Sequence, residues 1–148
     1  MAKEFKVTWV VRMQNAFASA MLNWGMKMGP MVLLTVAGRK SGLPRSTPVA
    51  VLERDGKRWI IGSYGAVNWV KNLRAEGKGT IKRGGKTEEI RVVELGPKEA
   101  APVLRDVLGV GIAGVFTRGY YDVTKDSTLE EIEMEAYKHP VFLVESQG

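Results

Sequence analysis

The chain has 148 residues, no cysteine and one histidine, His139. That excludes disulfides, thiolate metal sites and Cys nucleophiles, and it leaves too little histidine for a His-rich zinc site, an H-E-x-x-H helix or a Ser-His-Asp triad beyond His139 itself. That length, with 45% hydrophobic and 26% charged residues and a net charge of +6, fits one globular domain over residues 1–148, and an enzyme of this composition would need a cofactor or its substrate to supply the reactive chemistry.

Residues 5 to 28 are expected to form a helix, because no proline interrupts them and Gly29-Pro30 stops them. Val7, Val10, Val11, Phe17 and Met21 fall near helical spacing, while Trp9, Met13, Ala16, Ala20 and Trp24 make the other side apolar too. A helix apolar all round is buried, covers a pocket or lies on lipid. Segment 1–29 is therefore expected to be core or a lid over an active site. The longest uncharged run, Met13 to Met26, has 14 residues. It would reach about 21 Å as a helix, short of the roughly 20 apolar residues of a membrane span. No signal-peptide pattern follows Met1 to Lys6. The expected location is the cytoplasm, with peripheral contact at the inner membrane face as a further option.

Met31 to Ala37 is apolar and β-branched and reads as a strand. A turn over Gly38 to Arg45 leads to a second strand, Ser46 to Glu53. Asp55-Gly56 marks a hairpin into a third strand, Arg58 to Gly62. Asn68 is the expected N-cap of a short helix running to Glu76 and ended by Gly77. Gly79 to Arg83 and Lys86 to Leu95 form another hairpin around Gly84-Gly85. Pro97 opens a helix to about Leu108. Glu130 to Lys138 is expected to be helical and Val141 to Glu145 to be the closing strand. Six strands in hairpins with short connecting helices predict an α+β fold, an antiparallel six-stranded split β-barrel.

Charge is unevenly spread. Residues 39 to 91 hold 13 Lys/Arg against 5 Asp/Glu, whereas residues 92 to 148 hold 5 against 10. Such a basic middle suits an anionic partner or is simply a solvated surface. The turn Gly38-Arg39-Lys40-Ser41-Gly42-Leu43-Pro44-Arg45 concentrates three cations and a hydroxyl, and its glycines allow backbone N–H groups to converge on a phosphate or carboxylate. It is no Walker A loop, since Arg39 rather than Gly precedes Lys40-Ser41 and no helix follows. Ser46 and Thr47 continue the polar lining. A second cluster runs from Gly62 to Arg74, where small residues precede a helix start suited to anions. Within it Trp69 could stack on a planar ring or fill the core, and Asn72 could bond to a ligand or only to the protein.

These residues resemble a known family. Leu33-Leu34-Thr35, then Gly38-Arg39-Lys40-Ser41-Gly42-x-Pro44-Arg45 with Ser46-Thr47-Pro48, a turn containing Ser63, and Trp69-x-x-Asn72-Leu73 are similar to the deazaflavin (coenzyme F420)-dependent nitroreductases and quinone reductases. These are actinobacterial enzymes of the flavin-like split β-barrel superfamily, and the likeness covers Met31 to Leu95. The resemblance implies F420 as cofactor, with Arg39, Lys40, Ser41 and Arg45 holding its phosphodiester and oligoglutamate tail. It also implies that Ser46, Thr47, Pro48, Val49, Ala50, Ile61, Gly62, Ser63 and Tyr64 line the cofactor, with Asn68, Trp69 and Asn72 touching it from the short helix. Tyr64 stands where some relatives carry a lysine. Tyr120, Tyr121 or Tyr137 would correspond to substrate-facing tyrosines. The implied activity is hydride transfer from reduced F420 to an electron-poor apolar substrate (quinone, enone, coumarin-type lactone or nitroaromatic) by a monomer or homodimer, without nucleic acid or metal.

Two alternatives stand beside this reading. An FMN-dependent relative would need one phosphate site rather than a long basic stretch. A nucleic-acid-binding barrel fits the basic charge, but Phe, Tyr and Trp are not interleaved with Lys and Arg as a stacking platform requires. His139 before Pro140 reads as structural or exposed, and Glu130, Glu131, Glu133 and Glu135 as a solvated helix face.

Overall fold

The computed structural model describes residues 31–62, 65, 67–109, 124 and 126–146. The expected N-terminal helix, Ser63, Tyr64, Tyr120 and Tyr121 lie outside the described residues. Six strands are present: β1 (Met31–Ala37), β2 (Pro44–Arg54), β3 (Lys57–Ile61), β4 (Lys78–Arg83), β5 (Lys86–Glu94) and β6 (Val141–Ser146). They close an antiparallel barrel in the order β1-β2-β3-β6-β5-β4, so the α+β barrel architecture read from the strand pattern holds. Helix α1 (Asn68–Glu76) joins β3 to β4, and α2 (Pro97–Gly109) and α3 (Leu129–Glu135) lie between β5 and β6. A 3₁₀ turn, Ala136–Lys138, extends α3 toward β6.

Alternation along the strands sends Val32, Leu34, Val36, Val49, Val51, Ile60, Ile81, Ile90, Phe142 and Val144 into one buried cluster. Val70 and Leu73 of α1 join it, so this helix plugs one mouth of the barrel. A second cluster packs Ile61 and Val141 against Ala100, Ala101, Val103, Leu104 and Leu108 of α2 and Ile132 of α3. The Asp55-Gly56 and Gly84-Gly85 tips all take positive φ (53°, 76°, 57° and 80°), as tight hairpin turns require. The pairing of β1 with β4 closes the barrel over only three residue pairs, Leu33 to Thr35 with Thr80 to Lys82. Beside them the Gly79 backbone approaches Thr35 so closely that a Cβ would sit 2.6 Å from its carbonyl oxygen.

Two local expectations are corrected, and one open reading is decided. The N-cap of α1 is Val67, with no side-chain capping bond, and Asn68 is the first helical residue. Glu135 does not share the solvated face of α3. It is buried, and its carboxylate meets His139 Nε2 at 3.2 Å and Lys138 Nζ at 3.3 Å. His139 is itself 3% exposed, which selects the structural reading over the exposed one. A capping box, Thr128 with Glu131, opens α3.

At the rim opposite α1, Arg58 donates two hydrogen bonds to Glu88 (2.8 and 2.7 Å) and Ser146 a third at 2.7 Å. The Arg58 bonds in particular hold the Glu88 carboxyl down at about 2. A carboxylate favoured in the fold stabilises it above the ordinary carboxylate range, and that contribution is lost as pH falls through about 2. Glu88→Gln should cost about 1 kcal/mol at neutral pH, a figure reduced for solvent screening of this half-exposed pair. At about pH 2 most of that difference should be gone. Urea unfolding of both proteins at the two pH values checks it.

Candidate functional site

The β1–β2 turn and α1 face each other across a cleft of about 710 Å³ at the mouth that α1 plugs. The turn is tightly built: Gly38 N–H donates to Leu43 O at 2.8 Å, Gly42 N–H to Gly38 O at 2.8 Å, and Leu43 N–H to Ser41 Oγ at 3.2 Å. Gly42 takes φ +72°, the conformation its lack of a Cβ permits. Arg39, Lys40, Ser41 and Arg45 form the polar wall. Register places Arg45 opposite Val36 and Thr47 opposite Leu34. Thr35 and Ser46, also opposite, join hydroxyls at 2.8 Å.

The facing wall comes from one side of α1. Asn68, Trp69 and Asn72 stand at i, i+1 and i+4, so they share the helix face turned to the cleft. Trp69 does both things the sequence allowed: it packs on the barrel core and also lines the cleft. Asn72 is 6% exposed, and its Oδ1 accepts the Arg39 backbone N–H at 3.1 Å and the Arg39 guanidinium at 2.8 Å.

Of the residues expected to line a cofactor, the structure gathers Arg39, Lys40, Ser41, Arg45, Ser46, Thr47, Asn68, Trp69 and Asn72 around this one cleft. It does not bring Pro48, Val49, Ala50, Ile61 or Gly62 to it. Val49 points into the barrel core, Ile61 packs in the second cluster, and Gly62 is buried with its N–H on Pro140 O at 2.7 Å. Tyr137 is exposed beyond α3 and is no part of the cleft walls. Reading by sequence missed the floor, Leu34 and Val36, which meets the expected turn at Gly38 and Pro44. The inward alternation of β1 was the signal that could have found it.

The basic middle also looks different in three dimensions. Arg54 pairs with Asp106, and Arg74 with Glu94 at 2.8 Å, so acids of the tail neutralise part of it. Arg58 pairs with Glu88. Among the described residues Arg39, Lys40 and Arg45 have no carboxylate partner, and no acidic residue lines the cleft. Uncompensated cations beside an indole and three hydroxyls, those of Ser41, Ser46 and Thr47, fit a ligand that joins several negative charges to a planar ring.

Solved structures agree on the barrel. An F420-H2-dependent reductase, FDR-A, superposes with a TM-score of 0.54 at 24% identity over 78% of this chain and 94% of that one. A protein described as a domain-swapped dimer gives 0.56 at 23% identity, covering 93% of this chain and 97% of that one. A FAD-binding protein from Mesorhizobium loti gives 0.50 at 15% identity over 90% and 89%. No curated protein matches the chain in sequence. The family of F420H(2)-dependent quinone reductases matches residues 6–110, well over half of the chain and all of the cleft's walls. The chain thus belongs to the F420H(2)-dependent quinone reductase family and is an F420H2-dependent reductase with coenzyme F420 as its cofactor.

Proposed function

We propose that this reductase passes a hydride from reduced F420 to an electron-poor, apolar acceptor: a quinone, enone, coumarin-type lactone or nitroaromatic. The observation that carries the site assignment is the cleft between the β1–β2 turn and α1, whose three cations lack carboxylate partners among the described residues. The cofactor supplies the hydride, a chemistry no side chain of this composition offers. Arg39, Lys40 and Arg45 bind its phosphodiester and the carboxylates of its tail by charge-assisted bonds. Trp69 offers an aromatic face to the ring, and the Thr47 hydroxyl and Asn68 amide lie in the same walls. The apolar floor of Leu34 and Val36 would exclude water from the bound ring, and the walls would orient it. No side chain need form a covalent bond, and the proton that completes reduction comes from solvent or a tyrosine.

The N-terminal segment, rich in Trp, Met and Phe, suits an apolar lid or contact with a quinone-bearing membrane. Among the described residues no helix is long and apolar enough to cross a membrane. A cytoplasmic reductase, monomeric or homodimeric, is the form proposed.

Fluorescence titration with oxidised F420 and, separately, with FMN tests the site. Micromolar or tighter binding of F420, weakened about tenfold or more by Lys40→Ala, is the expected result. Binding of FMN alone would move the enzyme to the flavin branch, and binding of neither would sink the assignment. A panel of one quinone, one enone, one coumarin and one nitroaromatic then ranks the acceptors.

A further inference from the structure

We infer that Asn72 is a positioning residue that acts on the cofactor's anionic groups through Arg39 and not by touching them with its own oxygen. The inference rests on the proposed cleft assignment and adds a role within it. Asn72 Oδ1 is committed twice to a single residue, accepting both the backbone N–H and the side-chain Nη1 of Arg39. A carbonyl oxygen has two lone pairs, so this acceptor is filled. Its donors lie 33 residues away in sequence, on the opposite wall of the cleft. The oxygen is buried with its residue, while Arg39 is exposed.

That geometry makes Asn72 a latch between the two walls. Leu73, the next residue, is fully buried in the barrel core, so the helix end of the latch is fixed. Without the latch the Arg39 side chain, which has no carboxylate partner among the described residues, would sample many rotamers and its backbone would lose a tie to α1. With it, one guanidinium N–H is spent on the protein and the remaining donors are held in one place for an anion. The benefit to binding is therefore preorganisation, worth about three- to tenfold in affinity for one immobilised long side chain.

A double-mutant cycle on F420 affinity separates this role from direct contact. Asn72→Ala should weaken binding about three- to tenfold in the native background and less than twofold when Arg39 is already alanine. An equal loss in both backgrounds would mean that Asn72 bonds the cofactor itself, and no loss in the native background would mean that the latch is idle; either overturns the inference. Should Asn72→Ala fail to fold, Asn72→Ser is carried through the same cycle. A ligand-free measurement stands apart from the cofactor assignment: the Arg39 amide of the free native protein should be protected from hydrogen exchange, and lose that protection in the Asn72 variants. A freely exchanging Arg39 amide in the native protein would show that the latch does not form. Failure of the native protein to bind F420, with the Arg39 amide still protected, would count against the cofactor assignment and leave the latch standing.

Discussion

Replacing Arg39 and Arg45 together by alanine should weaken F420 binding at least a hundredfold and leave the thermal midpoint nearly unchanged. Each guanidinium offers charge-assisted hydrogen bonds worth roughly 1.5–3 kcal/mol when lost, so two of them amount to about 3–6 kcal/mol if independent. Both side chains are exposed and have no carboxylate partner among the described residues. Asn72 Oδ1 keeps the Arg39 backbone N–H when the guanidinium is removed, so little folding energy beyond that one side-chain bond depends on them. The control is Arg74→Ala, which breaks the pair with Glu94 outside the cleft and should not move the affinity. Raising salt should weaken the native complex more steeply than that of the double variant, because fewer ionic contacts remain to be screened. Isothermal titration of the three proteins at two salt concentrations reads all of this. A double variant that binds within a fewfold of the native protein would place the anionic tail elsewhere.

The largest expected loss of stability comes from a single methyl group. Gly79→Ala would set a Cβ 2.6 Å from the Thr35 carbonyl oxygen and 3.1 Å from Val36 Cγ2. The first of these is backbone in the middle of β1, so it cannot swing aside as a side-chain tip could. Relief requires β4 to move away from β1, where only three residue pairs close the barrel. The expected cost is about 3 kcal/mol, the upper part of the range for overpacking. In a domain of this size that lowers the thermal midpoint by about 10 °C. Because Val36 and Leu34 form the cleft floor, F420 affinity should fall as well. Gly85→Ala is a telling contrast: its positive φ of 80° strains an alanine, but nothing lies within 4 Å of the added Cβ. Its loss should be about 1 kcal/mol. Urea unfolding that ranked the two equally would refute the packing argument.

Much of this molecule is written in local pattern. β1 was legible to the residue because an apolar, β-branched run sits between Pro30 and Gly38. The walls of the cleft were legible because cations, hydroxyls and glycines are concentrated in short stretches. The errors share a different origin. Asn68 has the chemistry of a cap, yet Val67 holds that position and the asparagine turns to the cleft. Glu135 sits among solvated glutamates, and only the 3₁₀ turn behind it brings His139 round to cover it. The pairs Arg54–Asp106 and Arg74–Glu94, like the Asn72 latch, join residues 20 or more positions apart, which no local window can register. Val49 and Ile61 were named from family position alone, which does not report that strand alternation and packing against α2 turn their side chains inward.

The direction of β6 has a practical side. The strand starts beside Ile61, near the cleft end, and finishes at Ser146 on the opposite rim, where it meets Arg58 and Glu88. The seven residues of β1 measure the height between the rims at roughly 20 Å. An anchor attached at Ser146 would therefore hold the barrel by the rim opposite the cleft, with the cleft facing outward. Immobilised on a bead or sensor chip in that orientation, the protein would keep its cofactor entrance open to flow, while a label coupled near Leu43, exposed on the turn itself, would stand in the doorway.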